Sequence, residues 1–350
     1  MQQINRAKDL LDKHKIDMFL FYDEISIYYL TNIKVENAVL CLRENKTTLF
    51  VDSRFIEEID SNESLDVCLY SENNFDNYFH LFKKKLKIGF DGKSVSYFQY
   101  KKIISFFENK QGFEIIDIDD FLKDIRVVKT DIEISYLKTS SQLTWKGYQH
   151  ISSLLKEGVS EKKLADEFYV FCRNNDTEIA FDPIICFAEN TSIPHHKPSL
   201  KPYKKGDIVL MDLGCIFKGY HSDFTRTVIF QNKDPIINRF YYVVKKALEA
   251  GIKACRIGSY IADIDKAIYQ VIRKEGLEEY ILHASGHGIG LQTHEFIRIN
   301  KNSNEKIEKN MTLAIEPGLY KAKHCGIRLE EMGRITENGF DNFYKMEGIL

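Results

Sequence analysis

A small α/β domain followed by a second, larger domain of helix pairs and strand pairs is the fold class that this 350-residue chain predicts. Three observations carry the expectation. The length suits two domains of roughly 100–200 residues each. Short apolar runs alternate with helical stretches up to about residue 120. Beyond that point, pairs of amphipathic segments are followed by pairs of strand-like runs, and this order occurs twice.

In the first part, Met18–Tyr22, Ala38–Leu42, Thr47–Val51, Val67–Tyr70 and Lys87–Phe90 are short apolar runs, the signature of strands. Ile4–Lys15, Phe75–Lys85 and Tyr97–Phe107 carry helical spacing. No chemical cluster is visible here, so this half is expected to serve structure or oligomerisation. Asp117–Val128 carries no strong pattern, and Thr130-Asp131 then offers a helix start. The domains are therefore expected at 1–125 and 126–350. In the second domain helices are predicted to Lys156, from Ser160 to Arg173, over Pro235–Ala254 and over Tyr260–Glu275. Strands are predicted at Ile208–Phe217, His221–Phe230, Met311–Tyr320 and Gly326–Thr336.

Apolar residues make up 44% of the chain and charged residues 29%, with 24 Phe and 19 Tyr, a composition that supplies a core. A net charge of −2 offers no electrostatic attraction to nucleic acid or an anionic membrane. The basic run Lys83-Lys84-Lys85 and the group Lys201, Lys204 and Lys205 read as solvated surface. The first residues form a polar helix-like segment without an apolar signal core, and no apolar run reaches the roughly 18 residues of a membrane span. A soluble cytoplasmic protein is the expectation. Seven cysteines, scattered and never spaced as CxxC, fit reduced core thiols, so sulfur is not expected to hold a metal.

The chemistry begins at Gly206–Gly214, where Asp212 interrupts an apolar strand. A lone buried carboxylate is unfavourable and needs a partner. If Lys218-Gly219 make a two-residue hairpin turn, Asp223 pairs with Gly214 and lies diagonally from Asp212 on one face, about 7–8 Å away. Gly214 would leave room between the two acids, whose repulsion a cation between them would relieve. The alternative, two exposed acids beside a turn, stays open on these residues alone. His287 lies in Ser285-Gly-His-Gly-Ile-Gly290, where the glycines suit a tight bend holding an imidazole. Glu316 sits in Leu313-Ala-Ile-Glu-Pro-Gly318, an acid in an apolar strand ended or bulged by Pro317, and Glu330 falls on the next strand. An odd-length connection near Lys321–Cys325 would set Glu316 opposite Glu330, a register the sequence leaves open. Four carboxylates and one imidazole make a hard site suited to divalent manganese, with cobalt or zinc possible, and acidic enough for two ions.

These residues resemble the pita-bread metallopeptidases, the family of methionine aminopeptidase, aminopeptidase P, prolidase and creatinase. The resemblance rests on Asp212, Asp223, His287, Glu316 and Glu330 in family order. It also rests on the words Ser-Asp-Phe-Thr-Arg-Thr (222–227), Gly-His-Gly-Ile-Gly and Glu-Pro-Gly. The first half looks like the creatinase-type domain that methionine aminopeptidases lack, and Ser222 stands where those enzymes usually have Gly. The proline-directed branch is therefore implied.

That resemblance implies a creatinase-like α/β domain joined to an α+β pita-bread catalytic domain, a homodimer, and hydrolysis of the Xaa-Pro bond of peptides by a metal-bridged hydroxide. It implies that Asp212, Asp223, His287, Glu316 and Glu330 bind two divalent ions, manganese foremost, with Glu316 also the proton carrier. His195, in Ile193-Pro-His-His-Lys-Pro198, and His294 correspond to substrate-contacting catalytic histidines; His196 has no such counterpart. His283 would line the proline pocket, and Arg328 would orient a ligand carboxylate. Arg298 matches a place where some prolidases hold a dipeptide carboxylate. An Xaa-Pro aminopeptidase is the first expectation, an Xaa-Pro dipeptidase the alternative, and a non-catalytic binding protein of the same fold a third reading. The chain departs from the pattern at Ala188-Glu189, where relatives have small Gly or Ser, at Ile297 in place of Pro, and at Glu331 in place of Asp, which touches pocket shape and leaves the ligands intact.

Overall fold

A computed structural model of the protein describes residues 2–82, 84–108, 110–230 and 232–344. Position 83, inside the expected helix Phe75–Lys85 and the basic run, lies outside the described residues. The chain divides into two compact units between Arg126 and Val127.

The first unit holds a six-stranded mixed sheet, in the order Leu65–Leu69, Thr47–Val51, Val39–Leu42, Met18–Phe21, Leu86–Phe90, Phe113–Asp117. Because successive side chains in a strand point to opposite faces, Met18, Leu20, Val39, Cys41, Ile88 and Phe90 form one apolar surface. Phe75, Phe79, Ile103 and Phe107, from helices Glu72–His80 and Tyr97–Glu108, pack on it. The first of these helices starts three residues before the expected one, because the Ser71 side chain accepts from Asn74 N at 3.1 Å and caps it there. Helix Glu24–Thr31 was not expected. Its eight residues carry little amphipathic periodicity, and its ends are set by Asp23, which accepts from Ser26 N, and by Asn32 at φ 59°.

The second unit begins with helix Asp131–Ser153, whose start is a capping box between Thr130 and Glu133. Helices Glu161–Asn174, Pro235–Ala254 and Ile261–Lys274 follow, the last two packed together over a core of Val244, Ala247, Ile264, Ile268 and Ile315. Two sheets carry the chemistry. One runs Phe224–Ile229, Ile208–Leu213, Ile184–Phe187; the other runs Arg298–Ile299, Gly286–Gly288, Thr312–Ile315, Glu331–Thr336, Gly339–Asn342. The hairpin Gly318–Lys321 with Cys325–Arg328 stands apart from both. All seven cysteines are free. Among the described residues, no helix is long and apolar enough to cross a membrane.

Candidate metal centre

The two-residue turn at Lys218-Gly219 forms, with Phe217 paired to Tyr220 and Ile216 to His221. The same register continues into the longer strands, where Thr225 pairs with Asp212 and Phe224 with Leu213. Asp223 therefore falls opposite Gly214 and on the same face as Thr225 and Thr227. Gly214 serves a different purpose from leaving room between acids. A Cβ there would meet the Ser222 carbonyl and Phe181, so the glycine permits close approach of two chain segments. The Ser222 hydroxyl is held by Thr144 at 2.7 Å and Ser140 at 2.9 Å, which ties the hairpin beside Asp223 to the long helix.

His287 lies in a three-residue strand and not in the tight bend expected of its glycines. Gly286 adopts φ 151°, and a Cβ on it would strike the Ala314 carbonyl, so the strand needs glycine to lie against Thr312–Ile315. The next strand ends at Ile315, so Glu316 follows it instead of lying within it, at the break that Pro317 makes. Three residues join Lys321 to Cys325, and pairing of Gly318 with Arg328 on one side and Ile315 with Glu331 on the other leaves Glu316 facing Glu330 across the gap.

Ligand-type atoms of Asp223, His287 and Glu330 all lie within 4.8 Å of one another. The imidazole Nε2 of His287 is 3.5 Å from Asp223 Oδ2 and 3.8 Å from Glu316 Oε1, while its Nδ1 is 3.1 Å from the Gly288 carbonyl. Asp212 joins from the neighbouring strand, and Arg328 donates to its Oδ2 at 2.6 Å. Burial first, then the charges of Asp212 and Glu316, push Asp223 well above the usual carboxylate range. Burial and then Asp223 do the same to Glu330. Two buried carboxylate oxygens, Asp212 Oδ1 and Glu330 Oε1, have no hydrogen-bond partner among the described residues. Orphaned anionic oxygens in an acidic cluster that Arg328 only partly offsets fit divalent cations of the oxygen-preferring kind.

Asp212, Asp223, His287 and Glu316 line a cleft of about 810 Å³. Glu330, 1% exposed, lies behind its wall and accepts from the Thr225 hydroxyl at 2.9 Å. The cleft also presents His195, His283, His294, Arg298 and Arg328. His294 stacks edgewise on His287, ring centroids 4.3 Å apart, and burial followed by His287 holds its pKa below the imidazole norm. His283 is engaged at both nitrogens, by the Ala284 carbonyl and by the Tyr320 hydroxyl at 2.8 Å each, so it offers a ligand the surface of its ring. Arg298 pairs with His287 across the short strands and is exposed on the cleft wall.

Sequence reasoning missed four residues around the cluster. Thr225 joins Glu330 to the Nε of Arg328, and Thr227 fixes the backbone of Arg328; alternation from Asp223 places both on its face and was the available signal. Tyr320 links Arg328 to His283 through one hydroxyl. Glu295, beside His294, is buried with Lys129 at 2.7 Å, a pairing across 166 positions that no local pattern announces. At Ala188, φ is 50°, in the left-handed region that favours glycine.

Fold and cluster together define a metal-dependent hydrolase. The chain belongs to metallopeptidase family M24, whose model matches residues 81–337, and the creatinase/prolidase N-terminal domain matches residues 3–128. It is 27% identical over 348 residues to an Xaa-Pro dipeptidase of Pyrococcus furiosus, covering 99% of this chain and 98% of that one. The solved Xaa-Pro dipeptidase from Bacillus anthracis superimposes with a TM-score of 0.91 at 27% identity, covering 100% of this chain and 99% of the other. An X-Pro aminopeptidase from Thermotoga maritima gives 0.87 at 25% identity, with 98% of each chain covered.

Proposed function

We propose that this chain hydrolyses Xaa-Pro dipeptides in the cleft that Asp212, Asp223, His287 and Glu316 line. The observation that carries the choice of dipeptide is Arg298, a cation on the wall of the same cleft. A dipeptide ends one residue beyond the scissile bond, so its carboxylate must be neutralised close to the reacting carbonyl, and a guanidinium suits that task. The sequence alone put an aminopeptidase first; the similarity to an Xaa-Pro dipeptidase at 27% identity supports the reverse order.

Asp212, Asp223, His287, Glu316 and Glu330 would hold two divalent ions, with manganese the preferred species for so many oxygens. When bound, such ions supply Lewis-acid chemistry, acidifying water and polarising a carbonyl. Glu316 takes a proton from the attacking water on its carboxylate and delivers it to the proline nitrogen as the C–N bond breaks. Proline's amide has no N–H, so the pocket grips the ring and the carbonyl instead. The ring surface of His283 packs on the proline, and His195 and His294 hydrogen-bond the carbonyl oxygen as negative charge builds on it. Arg328 keeps Asp212 in place through its 2.6 Å hydrogen bond.

A side-by-side assay of the manganese-loaded protein on an Xaa-Pro dipeptide and an Xaa-Pro-Xaa tripeptide tests this reading. The dipeptide should be strongly preferred, and Arg298→Ala should raise KM for it about tenfold or more with a smaller change in kcat. Preference for the tripeptide, unaffected by Arg298→Ala, would instead make the protein an aminopeptidase, the activity of the similar Thermotoga maritima structure.

A further inference from the structure

The sequence left His196 without a role and gave Glu161 none beyond the first turn of its helix. Glu161 opens helix Glu161–Asn174, and its side chain is 0% exposed. A carboxylate buried so completely is costly unless its lone pairs are met. Oε1 accepts from the backbone N–H of Phe187 at 2.7 Å and the amide of Asn190 at 2.9 Å. Oε2 meets the Nε2 of His196 at 2.9 Å, the N–H of Ser199 at 3.0 Å and its hydroxyl at 2.6 Å. Every one of these donors belongs to the segment 187–199, the segment that carries His195 to the cleft.

We infer that Glu161 and His196 form a brace that sets the position of His195, which makes both of them positioning residues for the reaction. The inference rests on the reading of His195 as a substrate contact. On the other side the same segment is held by Thr191, whose hydroxyl accepts from Gly326 N at 2.8 Å, and by the Pro194 carbonyl, which accepts from Arg328 at 3.3 Å. His195 thus stands between one neighbour tied to Arg328, at the metal cluster, and one tied to Glu161, at a helix start. Its backbone is fixed from both sides, so the exposed imidazole meets the substrate without first ordering a loop. Misplacement of a contacting group by about 1 Å costs up to about 100-fold in rate. A carboxylate with five donors on one segment is a means of preventing that.

Four manganese-loaded proteins, assayed on an Xaa-Pro dipeptide with metal content measured in each, decide the matter: His195→Ala, His196→Ala, their double variant and His196→Gln. His196→Ala should lose about tenfold in kcat with KM within about twofold and metal content unchanged. His196→Gln, which returns a donor near the place of Nε2, should recover most of that loss. The double variant should be no slower than His195→Ala, because residues acting through one group are not additive. A His195→Ala protein at the wild-type rate overturns the reading of His195 itself. A slow His195→Ala with a normal His196→Ala overturns the brace alone, as does a double variant that loses the product of the two single effects, or a His196→Ala that loses metal. Should His196→Ala fail to fold, Asn190→Ala, which removes a donor from the other oxygen, takes its place in the same cycle with the same outcomes.

Discussion

The guanidinium of Arg328 donates to Oδ2 of Asp212 at 2.6 Å, while Oδ1 of the same carboxylate is buried with no hydrogen-bond partner among the described residues. One oxygen is thus aimed by the protein, and under the proposed function the other is available to a cation. Groups that orient a metal ligand typically contribute 10–100-fold in affinity, so Arg328→Lys, which loses the fork that also reaches Tyr320 and Thr225, should weaken manganese binding by about that factor. Titration calorimetry on the metal-free protein reads it directly. Unchanged affinity would mean that Asp212 needs no such support.

Removal of divalent ions should abolish peptide hydrolysis and addition of manganese should restore it. Because a ligand that binds only the folded state stabilises it, manganese at 100 times its Kd should add about 2.7 kcal/mol and raise Tm accordingly. Calorimetric scans with and without chelator measure the effect. Full turnover in excess chelator would remove the basis for every role given to the acidic cluster.

Gly326→Ala should be harmful beyond its size. A Cβ at this position would strike the carbonyl of Thr191, whose hydroxyl is tied to the Ala188 carbonyl, and the ring of Tyr320, whose hydroxyl accepts from Arg328. Overpacking of this kind costs about 1–3 kcal/mol, and here it would displace the segment carrying His195. Thermal unfolding together with kcat/KM is the check, and the expected result is a lower Tm with an activity loss that persists well below it.

Acid stability should depend on Glu161. Burial opposes its ionisation, but hydrogen bonds from Ser199, His196 and Asn190 outweigh that and hold its carboxyl below the usual range. The stability it contributes is therefore present above an unfolded pKa of about 4.3 and is lost as pH falls through the lower folded value. The stability gap between the wild type and Glu161→Gln should be widest near neutrality and close below about pH 4. Denaturant titrations across that range would show it, and a constant gap would mean that the charge of Glu161 is irrelevant.

Much of the site was legible because its parts obey local rules. Lys218-Gly219 suits a two-residue turn, and that turn alone fixes which face Asp223 shares with Asp212. The register that sets Glu316 opposite Glu330 was left open by the sequence, and the strand pairings on either side of Pro317 decide it. The helices with capped ends, at Thr130 and Ser160, began where their hydroxyl residues stood. Helix Glu24–Thr31 was hidden because apolar Ile25 and Tyr28 stand on its less buried face and Ser26 on its buried one, which erases the hydropathy contrast, and His287 fell on a strand of three residues, too short for periodicity to register.

What the sequence determined by itself was the stock of acidic and imidazole side chains, their order and the turn at Lys218-Gly219, since these depend on neighbours within a few residues. Only the tertiary structure decided that Arg328 reaches Asp212, Lys129 reaches Glu295 and His196 reaches Glu161, pairs separated by 116, 166 and 35 positions. The physical reason is that a buried charge takes whichever partner the packing of sheets and helices brings within hydrogen-bonding distance, and packing is a property of the whole chain.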